Sequence, residues 1–255
     1  MLGAIGITVW APAPREVVAG ATEPSSDERS RRGATRASDA AGESTAVAAR
    51  AMDPAVAPAA VPAGDIAGLD WGALQERVAS CRACRLCESR TQTVFGVGHL
   101  QAHCMIVGEA PGENEDLQGE PFVGAAGQLL DRMLPAIGLT RREAPAAQQV
   151  YIANTLKCRP PRNRNPEPDE LARCSAYLHR QIELVQPRLL LAMGRFAVQT
   201  LLESSEPIGR LRGRVHRWRN LPVVVTYHPA YLLRNPADKA RAWADLCLAA
   251  AQLSA

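Results

Sequence analysis

The spacing of hydrophobic residues changes near Asp70, and from there to the C-terminus it predicts helices alternating with strands. Trp71, Leu74 and Val78 recur at helical intervals, whereas later apolar runs are short and uninterrupted, as in buried strands. The predicted strands are residues 104–107, 150–153, 189–193, 214–218 and 222–226. The predicted helices are residues 71–81, 125–137, 167–185, 196–202 and 236–253. Such an alternation is typical of a parallel sheet covered by helices on both faces.

The first 70 residues lack this pattern. Their first 60 positions hold 17 Ala, many Pro, Ser and Gly, and one aromatic residue, Trp10. Such a segment buries too little apolar surface to offset the entropy that is lost on ordering. We therefore expect a disordered Ala/Pro/Ser-rich tail at 1–70 and a globular domain at 71–255. The alternative is that translation starts later, with Met52 as the first residue.

The N-terminus carries no membrane signal. The uncharged stretch from Met1 to Pro14 is too short to span a bilayer, contains two prolines and lacks the basic region of a secretory signal. We therefore expect a cytoplasmic protein without membrane contact.

Charge is unevenly distributed along the chain. Residues 71–255 carry 23 Lys/Arg against 17 Asp/Glu, whereas residues 1–70 carry 6 against 9. Of the 29 basic residues, 27 are Arg, whose planar guanidinium matches phosphate, although biased codon usage gives the same composition. Charge alone therefore leaves nucleic-acid binding open. Five of the arginines cluster at 210–219, where we expect phosphate contacts.

Polar side chains follow three of the predicted strands. Glu109 comes after the first strand, Asn154 ends the second, and His228 follows the last. Open parallel sheets bind ligands outside the carboxyl ends of their strands, so we expect these three side chains to meet in one cleft.

The cysteines carry a second signal. Cys81 and Cys84 form a C-x-x-C pair, and Cys158 and Cys174 follow much later in the chain. Seven cysteines in a cytosolic chain are rarely structural disulfides. Four thiolates suit either zinc or an iron–sulfur cluster, and the spacing leaves both open. Cys87 is an alternative to Cys81 as a ligand.

Four sequence blocks accompany these cysteines. The blocks are Gly108-Glu-Ala-Pro-Gly-Glu-Asn-Glu-Asp116, Pro121-Phe-Val-Gly124, Asn154-Thr-Leu-Lys-Cys-Arg-Pro-Pro161 with Asn163-Arg164, and His228-Pro-Ala-Tyr-Leu-Leu-Arg234. Together with the cysteines they resemble the family 4 uracil-DNA glycosylases, which are iron–sulfur enzymes. The similarity covers roughly residues 72–253 and leaves the first 70 residues outside it.

The resemblance implies an α/β fold, a three-layer α/β/α sandwich with a four-stranded, mainly parallel sheet. It also implies a 4Fe–4S cluster held by Cys81, Cys84, Cys158 and Cys174. Cys158 lies four residues after Asn154, so ligation there would clamp the end of that strand to the N-terminal helix. We expect this cluster to have a structural role rather than a redox role.

The resemblance also assigns roles in uracil recognition and excision. His228 is expected to donate a hydrogen bond to uracil O2 as negative charge develops on the leaving base. Asn154 is expected to pair with N3–H and O4, which cytosine would mismatch. Phe122 is expected to stack on the base after the nucleotide has been flipped out of the duplex.

The group that activates the water is less clearly marked. Ala110 stands in the substrate pocket where family 1 enzymes have a catalytic Asp, so Glu109 and Asn163 are the candidates for assisting the water. Family 1 enzymes exclude thymine with a Tyr, whose place is taken here by Gly112. We expect Glu115 to fill the space that this leaves.

These features predict an enzyme that hydrolyses the N-glycosidic bond of uracil in single- and double-stranded DNA, starts base excision repair and acts as a monomer. The alternative is a non-catalytic, zinc- or iron–sulfur-containing module that binds uracil or nucleic acid. The segment after Cys158 contains no His, which argues against a covalent uracil-binding protein. Two interpretations remain for Leu232 and Leu233. Either one of them is a wedge that enters the base stack, or both begin the closing helix and pack into the core.

Overall fold

A computed structural model of the chain describes residues 64–254, and in them the predicted alternation of strands and helices is present. The strands form one six-stranded sheet in the order β1-β3-β2-β4-β6-β5. The strands are β1 (Val97–Gly98), β2 (Cys104–Gly108), β3 (Tyr151–Asn154), β4 (Leu189–Met193), β5 (Val215–Trp218) and β6 (Leu221–Thr226). The four central strands are parallel to one another, and the edge strands β1 and β5 are antiparallel to their neighbours.

The strand pattern refines the expected four-stranded sheet. Its four parallel strands lie at four of the predicted positions, and the predicted strand 214–218 is the antiparallel edge β5. The second antiparallel edge, β1, brings the number to six in the described residues. Every residue of β2 and β4 is buried, as uninterrupted apolar runs predict for central parallel strands. In β5 exposed and half-buried residues alternate, because one face of this edge strand meets solvent.

Ten helices lie around the sheet in residues 64–254. They are α1 (Gly64–Ala67), α2 (Trp71–Ala79), α3 (Leu86–Ser89), α4 (Glu113–Gln118), α5 (Ala125–Met133), α6 (Pro168–Val185), α7 (Arg195–Leu202), α8 (Ile208–Leu211), α9 (Pro229–Arg234) and α10 (Lys239–Ser254). The predicted helix 125–137 ends at Met133. Pro135 lacks the amide hydrogen that would continue it, so the chain passes through a 3-10 turn to Gly138, which has a φ of 77°.

Two apolar layers, one on each face of the sheet, confirm the three-layer arrangement. On one face Ile106, Leu191 and Val224 pack with α5 and α10. The neighbouring residues of the same strands point to the other face, where they pack with α6 and α7. The alternation of side chains along buried strands therefore produces one core on each side of the sheet.

The N-terminal helices pack against α6. Ile66, Leu74, Val78 and Tyr177 form a buried cluster between them. The packed part of the chain therefore begins before residue 71, where the sequence placed the start of the domain. The remainder of the expected tail, with Met52, lies outside the described residues. No helix in residues 64–254 is long and apolar enough to cross a membrane.

Candidate active site and cysteine-lined cavity

A cleft of about 660 Å³ opens at the carboxyl ends of the parallel strands. Gly108 ends β2 and Asn154 ends β3, while Gly194 and His228 follow β4 and β6. The cleft brings together all seven side chains that the sequence nominated for substrate binding and catalysis. They are Glu109, Ala110, Glu115, Phe122, Asn154, Asn163 and His228.

Asn154 offers the cleft an unused hydrogen-bond acceptor. The residue is 2% exposed, and its Oδ1 has no hydrogen-bond partner in the described residues. A Cβ atom on Gly108 would lie 2.3 Å from this Oδ1, so glycine is required for the amide to occupy its place. A buried polar atom without a partner is costly, which indicates that a ligand completes it.

His228 is held as a neutral imidazole with a defined tautomer. The Ala230 amide donates to His228 Nδ1 at 3.2 Å, so Nδ1 carries no proton and the hydrogen resides on Nε2. Burial, reinforced by the charge of Arg234, lowers the pKa of His228 to about 4. The ring therefore presents an Nε2–H donor at neutral pH without bringing a positive charge.

Phe122 stands beside this histidine. Its ring stacks on the His228 ring with 5.3 Å between centroids and 27° between planes. The residue is 4% exposed and its backbone is left-handed, with a φ of 57°. A Cβ on Gly108 would lie 2.7 Å from the Phe122 ring, so Gly108 makes room for Phe122 as well as for Asn154.

Glu115 is anchored by backbone amides on the wall of the cleft. Its Oε1 accepts from Val123 N–H and Gly124 N–H at 2.9 and 3.0 Å, and its Oε2 accepts from Gly112 N–H at 3.1 Å. These bonds join the start of α4 to the start of α5. The carboxylate expected in the space of the family 1 Tyr is therefore a fixed part of the wall.

The two candidates for water activation differ in their surroundings. Burial raises the pKa of Glu109, and the charges of Arg195 and Arg234 oppose this shift. Asn163 also lines the cleft, and its Oδ1 already accepts from Arg159 Nε at 2.8 Å. Among the described residues the Glu109 carboxylate accepts no hydrogen bond and has raised basicity, whereas the oxygen of Asn163 is occupied.

Sequence reasoning missed several residues that line the cleft. Arg195 comes two residues after the end of β4, and the strand-end rule that indicated Glu109 and Asn154 also applies to it. Tyr227 stacks on Tyr231 with 5.0 Å between ring centroids, and no local motif indicates this pair. Arg234, in contrast, belongs to the His228 block, which predicts it beside the pocket mouth, and it reaches the cleft from the end of α9.

The basic run at 210–219 is partly used inside the protein. Arg212 pairs with the buried Asp245, and Arg219 pairs with Glu183 at 2.7 Å. The expected phosphate surface is therefore reduced at these two positions. Arg210 and Arg214 are exposed.

The two leucines of α9 have opposite environments. Leu232 is 1% exposed and packs in the core with α5 and α10, whereas Leu233 is 45% exposed. The core alternative therefore describes Leu232, and Leu233 is the wedge candidate.

A second cavity is lined by five cysteines. They are Cys81, Cys84, Cys87, Cys158 and Cys174. Burial raises the pKa of the Cys158 thiol to about 11 and that of Cys174 to about 12. Arg90 Nη1 donates to Cys158 Sγ at 2.9 Å, and the Lys157 amide donates to Cys174 Sγ at 3.4 Å. Such hydrogen bonds stabilise the thiolate form.

The donor set of this cavity fits a metal cluster. Among residues 64–254, no three His, Cys, Asp or Glu side chains are grouped closely enough to hold a single metal ion. The fit therefore rests on the chemistry of the five thiols that line the cavity. The buried Tyr177 hydroxyl lines the same cavity, where burial and the neighbouring Cys81 thiol raise its pKa. Buried thiols with raised pKa values are stabilised when a metal binds their thiolates.

The cavity and the cleft are joined by one short segment. Lys157 is fully buried, and its Nζ donates to the Asn154 carbonyl at 2.8 Å and to Gln181 Oε1 at 2.6 Å. The residues after Cys158 return to the cleft, where Pro160, Asn163, Arg164 and Asn165 form one wall.

Comparison with known proteins agrees with this geometry. The family model described as "Uracil DNA glycosylase superfamily" matches residues 95–249. The chain therefore belongs to the uracil-DNA glycosylase superfamily, as the sequence blocks indicated.

Similar curated proteins indicate the branch of the superfamily. The chain is 46% identical over 167 residues to the type-4 uracil-DNA glycosylase of Archaeoglobus fulgidus, covering 62% of this chain and 81% of that protein. It is 42% identical over 170 residues to the type-4 enzyme of Thermotoga maritima, covering 66% and 85%. For the type-4 enzyme of Pyrobaculum aerophilum the identity is 38% over 188 residues, covering 71% and 93%.

Proposed function

We propose that this protein is a uracil-DNA glycosylase that flips uracil out of single- or double-stranded DNA and hydrolyses its N-glycosidic bond, which starts base excision repair. The observation that carries the proposal is that one cleft contains two complementary groups. One is the Asn154 Oδ1, which has no hydrogen-bond partner in the described residues, and the other is the neutral, Nε2-protonated His228. Uracil supplies the donor and the acceptor that these two groups require.

Recognition rests on Asn154, Phe122 and Glu115. The Asn154 amide accepts from uracil N3–H and donates to O4. Cytosine has an acceptor at N3 and a donor amine in place of O4, so neither bond can form. The Phe122 ring supports the face of the base. The anchored Glu115, together with Ala110, limits the space beside the base and thereby disfavours the thymine methyl group.

Bond cleavage rests on charge stabilisation at the departing base. As the bond between sugar C1′ and base N1 breaks, its electron pair goes to uracil, and negative charge develops on O2. His228 Nε2–H donates to that oxygen, and because the imidazole is neutral it requires no prior protonation. Water adds to C1′, and Glu109 orients the water and accepts its proton.

We further propose that Cys81, Cys84, Cys158 and Cys174 bind a 4Fe–4S cluster, with Cys87 at the edge of the same cavity. Four thiolates around a cavity are the donor set of such clusters. The cluster would supply covalent cross-links between α2, α6 and the segment that leads out of Asn154. Its role is structural, since no step of the hydrolysis transfers electrons.

DNA contacts are proposed around the mouth of the cleft. Arg195 and Arg234 are exposed at its edge and suit the phosphates that flank the flipped nucleotide. Leu233 would enter the gap that the nucleotide leaves. We propose that the protein acts as a monomer in the cytoplasm, where it has access to DNA.

The test is base release by the purified protein from matched oligonucleotides that contain one uracil or one thymine. We expect free uracil and an alkali-labile abasic site from the first oligonucleotide and no release from the second. Binding to the uracil oligonucleotide without any release would instead support the non-catalytic alternative.

A further inference from the structure

The backbone of Phe122 requires an explanation that the stacking role does not supply. Its φ of 57° lies in the left-handed region, which residues with a Cβ rarely adopt. Such a conformation persists only where the surrounding structure enforces it, and it is concentrated at functional sites. The ring that faces the cleft is therefore placed by contacts to the backbone of its own loop.

Arg141 makes the most direct of these contacts. Its Nη1 donates to the Phe122 carbonyl at 2.5 Å, and its Nη2 donates to the Pro121 carbonyl at 2.5 Å. One rigid guanidinium thus binds two consecutive carbonyls, which fixes the peptide planes on both sides of the Phe122 Cα atom. The Arg141 side chain is 14% exposed, and Glu120 and Asp131 accept further bonds at 3.1 and 3.4 Å.

The loop is also held from its other end. The Glu115 carboxylate binds the amides of Val123 and Gly124, which follow Phe122 directly. Gly127 of α5 lies against the same loop, and a Cβ there would come within 1.7 Å of the Phe122 carbonyl oxygen. Arg141 therefore binds the carbonyls on either side of the Phe122 Cα atom, and Glu115 binds the two amides that follow.

The position of Arg141 is itself fixed by secondary structure. Its neighbour Thr140 forms a bridge with Gln149, in which Thr140 N–H donates to the Gln148 carbonyl at 2.9 Å. Val150 N–H donates back to the Thr140 carbonyl at 2.9 Å, immediately before β3 begins. Arg141 thus ties the Phe122 loop to the strand that carries Asn154.

We propose that Arg141 is a positioning residue of the uracil pocket, which holds the left-handed backbone of Phe122 so that its ring forms the stacking surface for the flipped base. Arg141 does not line the cleft and acts only through the carbonyls of Pro121 and Phe122. The proposal rests on the proposed function for its catalytic consequence, whereas its structural consequence is independent of it.

The structural consequence is measured by fluorine NMR. The chain contains three phenylalanines, so labelling with 4-fluorophenylalanine gives three resonances, and Phe122→Leu assigns the one of interest. We expect Arg141→Lys and Arg141→Ala to shift or broaden the Phe122 resonance and to leave those of Phe95 and Phe196 in place. An unchanged Phe122 resonance in folded Arg141→Lys would overturn the proposal, whether or not the protein excises uracil.

The catalytic consequence is measured by single-turnover excision in a double-mutant cycle. Because aromatic stacking on a base contributes about 1–3 kcal/mol, or about 5- to 150-fold, we expect Arg141→Ala and Phe122→Ala each to slow excision by a factor in that range. The double variant should be no slower than the slower single variant, since both changes remove the same stacking surface. Losses that multiply would show that Arg141 acts independently of Phe122.

Two controls separate positioning from general stability. Asp131→Asn removes an ion pair of Arg141 but keeps both carbonyl bonds, and we expect excision within about twofold of the unmodified protein. Arg180→Ala removes a comparable arginine, whose Nε donates to the Leu69 carbonyl at 2.7 Å far from the cleft. If Arg180→Ala slows excision as much as Arg141→Ala at equal loss of thermal stability, the role of Arg141 is structural only and the proposal fails.

Discussion

The candidate active-site cleft and the cysteine cavity share the segment from Asn154 to Asn165, yet they are completed in different ways. In the cleft, bonds within the chain hold the polar groups: amides bind the Glu115 carboxylate, and the Ala230 amide binds His228. In the cavity, Arg90 and the Lys157 amide each bind one thiol, but burial still raises the pKa of Cys158 and of Cys174. The chain alone thus organises the cleft, whereas the cavity depends on the cluster proposed to bind there.

Because of this difference, we expect changes in the cavity to affect the cleft, and changes in the cleft to leave the cavity intact. Lys157 joins them, because its ammonium binds the Asn154 carbonyl and its amide binds Cys174. Loss of the cluster would release the segment that carries Asn154 and one wall of the cleft. A change to a cleft side chain leaves every cysteine in place. Loss of the cluster should therefore slow excision, whereas a substitution in the cleft should leave the iron content unchanged.

The largest expected effect follows from Cys158→Ser. Loss of one ligand should reduce the iron content and the broad visible absorption of a 4Fe–4S protein. It should also lower the free energy of unfolding by about 4 kcal/mol, or about 10 °C in Tm, and slow excision. Iron analysis, absorption spectra and thermal unfolding measure these losses.

The matched control for that variant is Cys104→Ser. Cys104 is equally buried but lies in β2 and does not line the cysteine cavity, so iron content should be retained. Stoichiometric zinc without iron in the anaerobically purified protein would contradict the cluster.

An intermediate effect is expected from Glu109→Gln, which changes the cleft alone. A general base contributes on the order of 100-fold to the rate, so Glu109→Gln should slow excision by about that factor. The iron content should not change. Because burial raises the pKa of Glu109, the carboxylate that accepts the proton is lost as pH falls through that raised value, and the excision rate should fall with it.

The pH profile distinguishes Glu109 from His228. With a pKa of about 4, His228 stays neutral at pH values above 5 and should add no inflection near 6.5. The acid limb should therefore disappear in Glu109→Gln. If the variant keeps the same acid limb, the group that assists the water is not Glu109.

The smallest effect is expected at the mouth of the cleft. Leu233→Ala should slow excision from U·A duplexes by a few-fold to about tenfold, because unstacking a paired base costs a few kcal/mol. U·G duplexes should be affected less and single strands hardly at all. Equal loss of rate on all three substrates would mean that Leu233 is not a wedge. The comparison is Leu232→Ala, which opens a space in the core and should slow excision from all three substrates alike.

The parts of the fold that the sequence predicted are those governed by burial. β2 and β4 are uninterrupted apolar runs because both faces of a central parallel strand are covered. β1 has only two residues, one of them Gly98 with a φ of 132°, and no apolar pattern indicates it. Helix α5 ends earlier than its periodicity predicts because Pro135 interrupts the hydrogen bonds.

The candidate site likewise contains residues that the sequence predicted and one, Arg141, that it did not. The strand-end rule brought Glu109, Asn154 and His228 together from the sequence alone, and the family resemblance added Phe122 and Glu115. Arg141 could not be predicted, since its bonds are to backbone carbonyls about 20 residues earlier and leave no motif. Its contribution depends on the left-handed φ of Phe122, which is visible only in the folded chain.

The most direct test of the central claim is the single-turnover rate of Asn154→Asp on a uracil oligonucleotide, measured together with its iron content. The carboxylate cannot donate to uracil O4, and an unpaired buried group costs about 1–3 kcal/mol, or about 5- to 150-fold in rate. We predict that loss with iron content unchanged, because the cleft does not control the cavity. Full excision of uracil by Asn154→Asp would contradict the assignment of this cleft to uracil recognition.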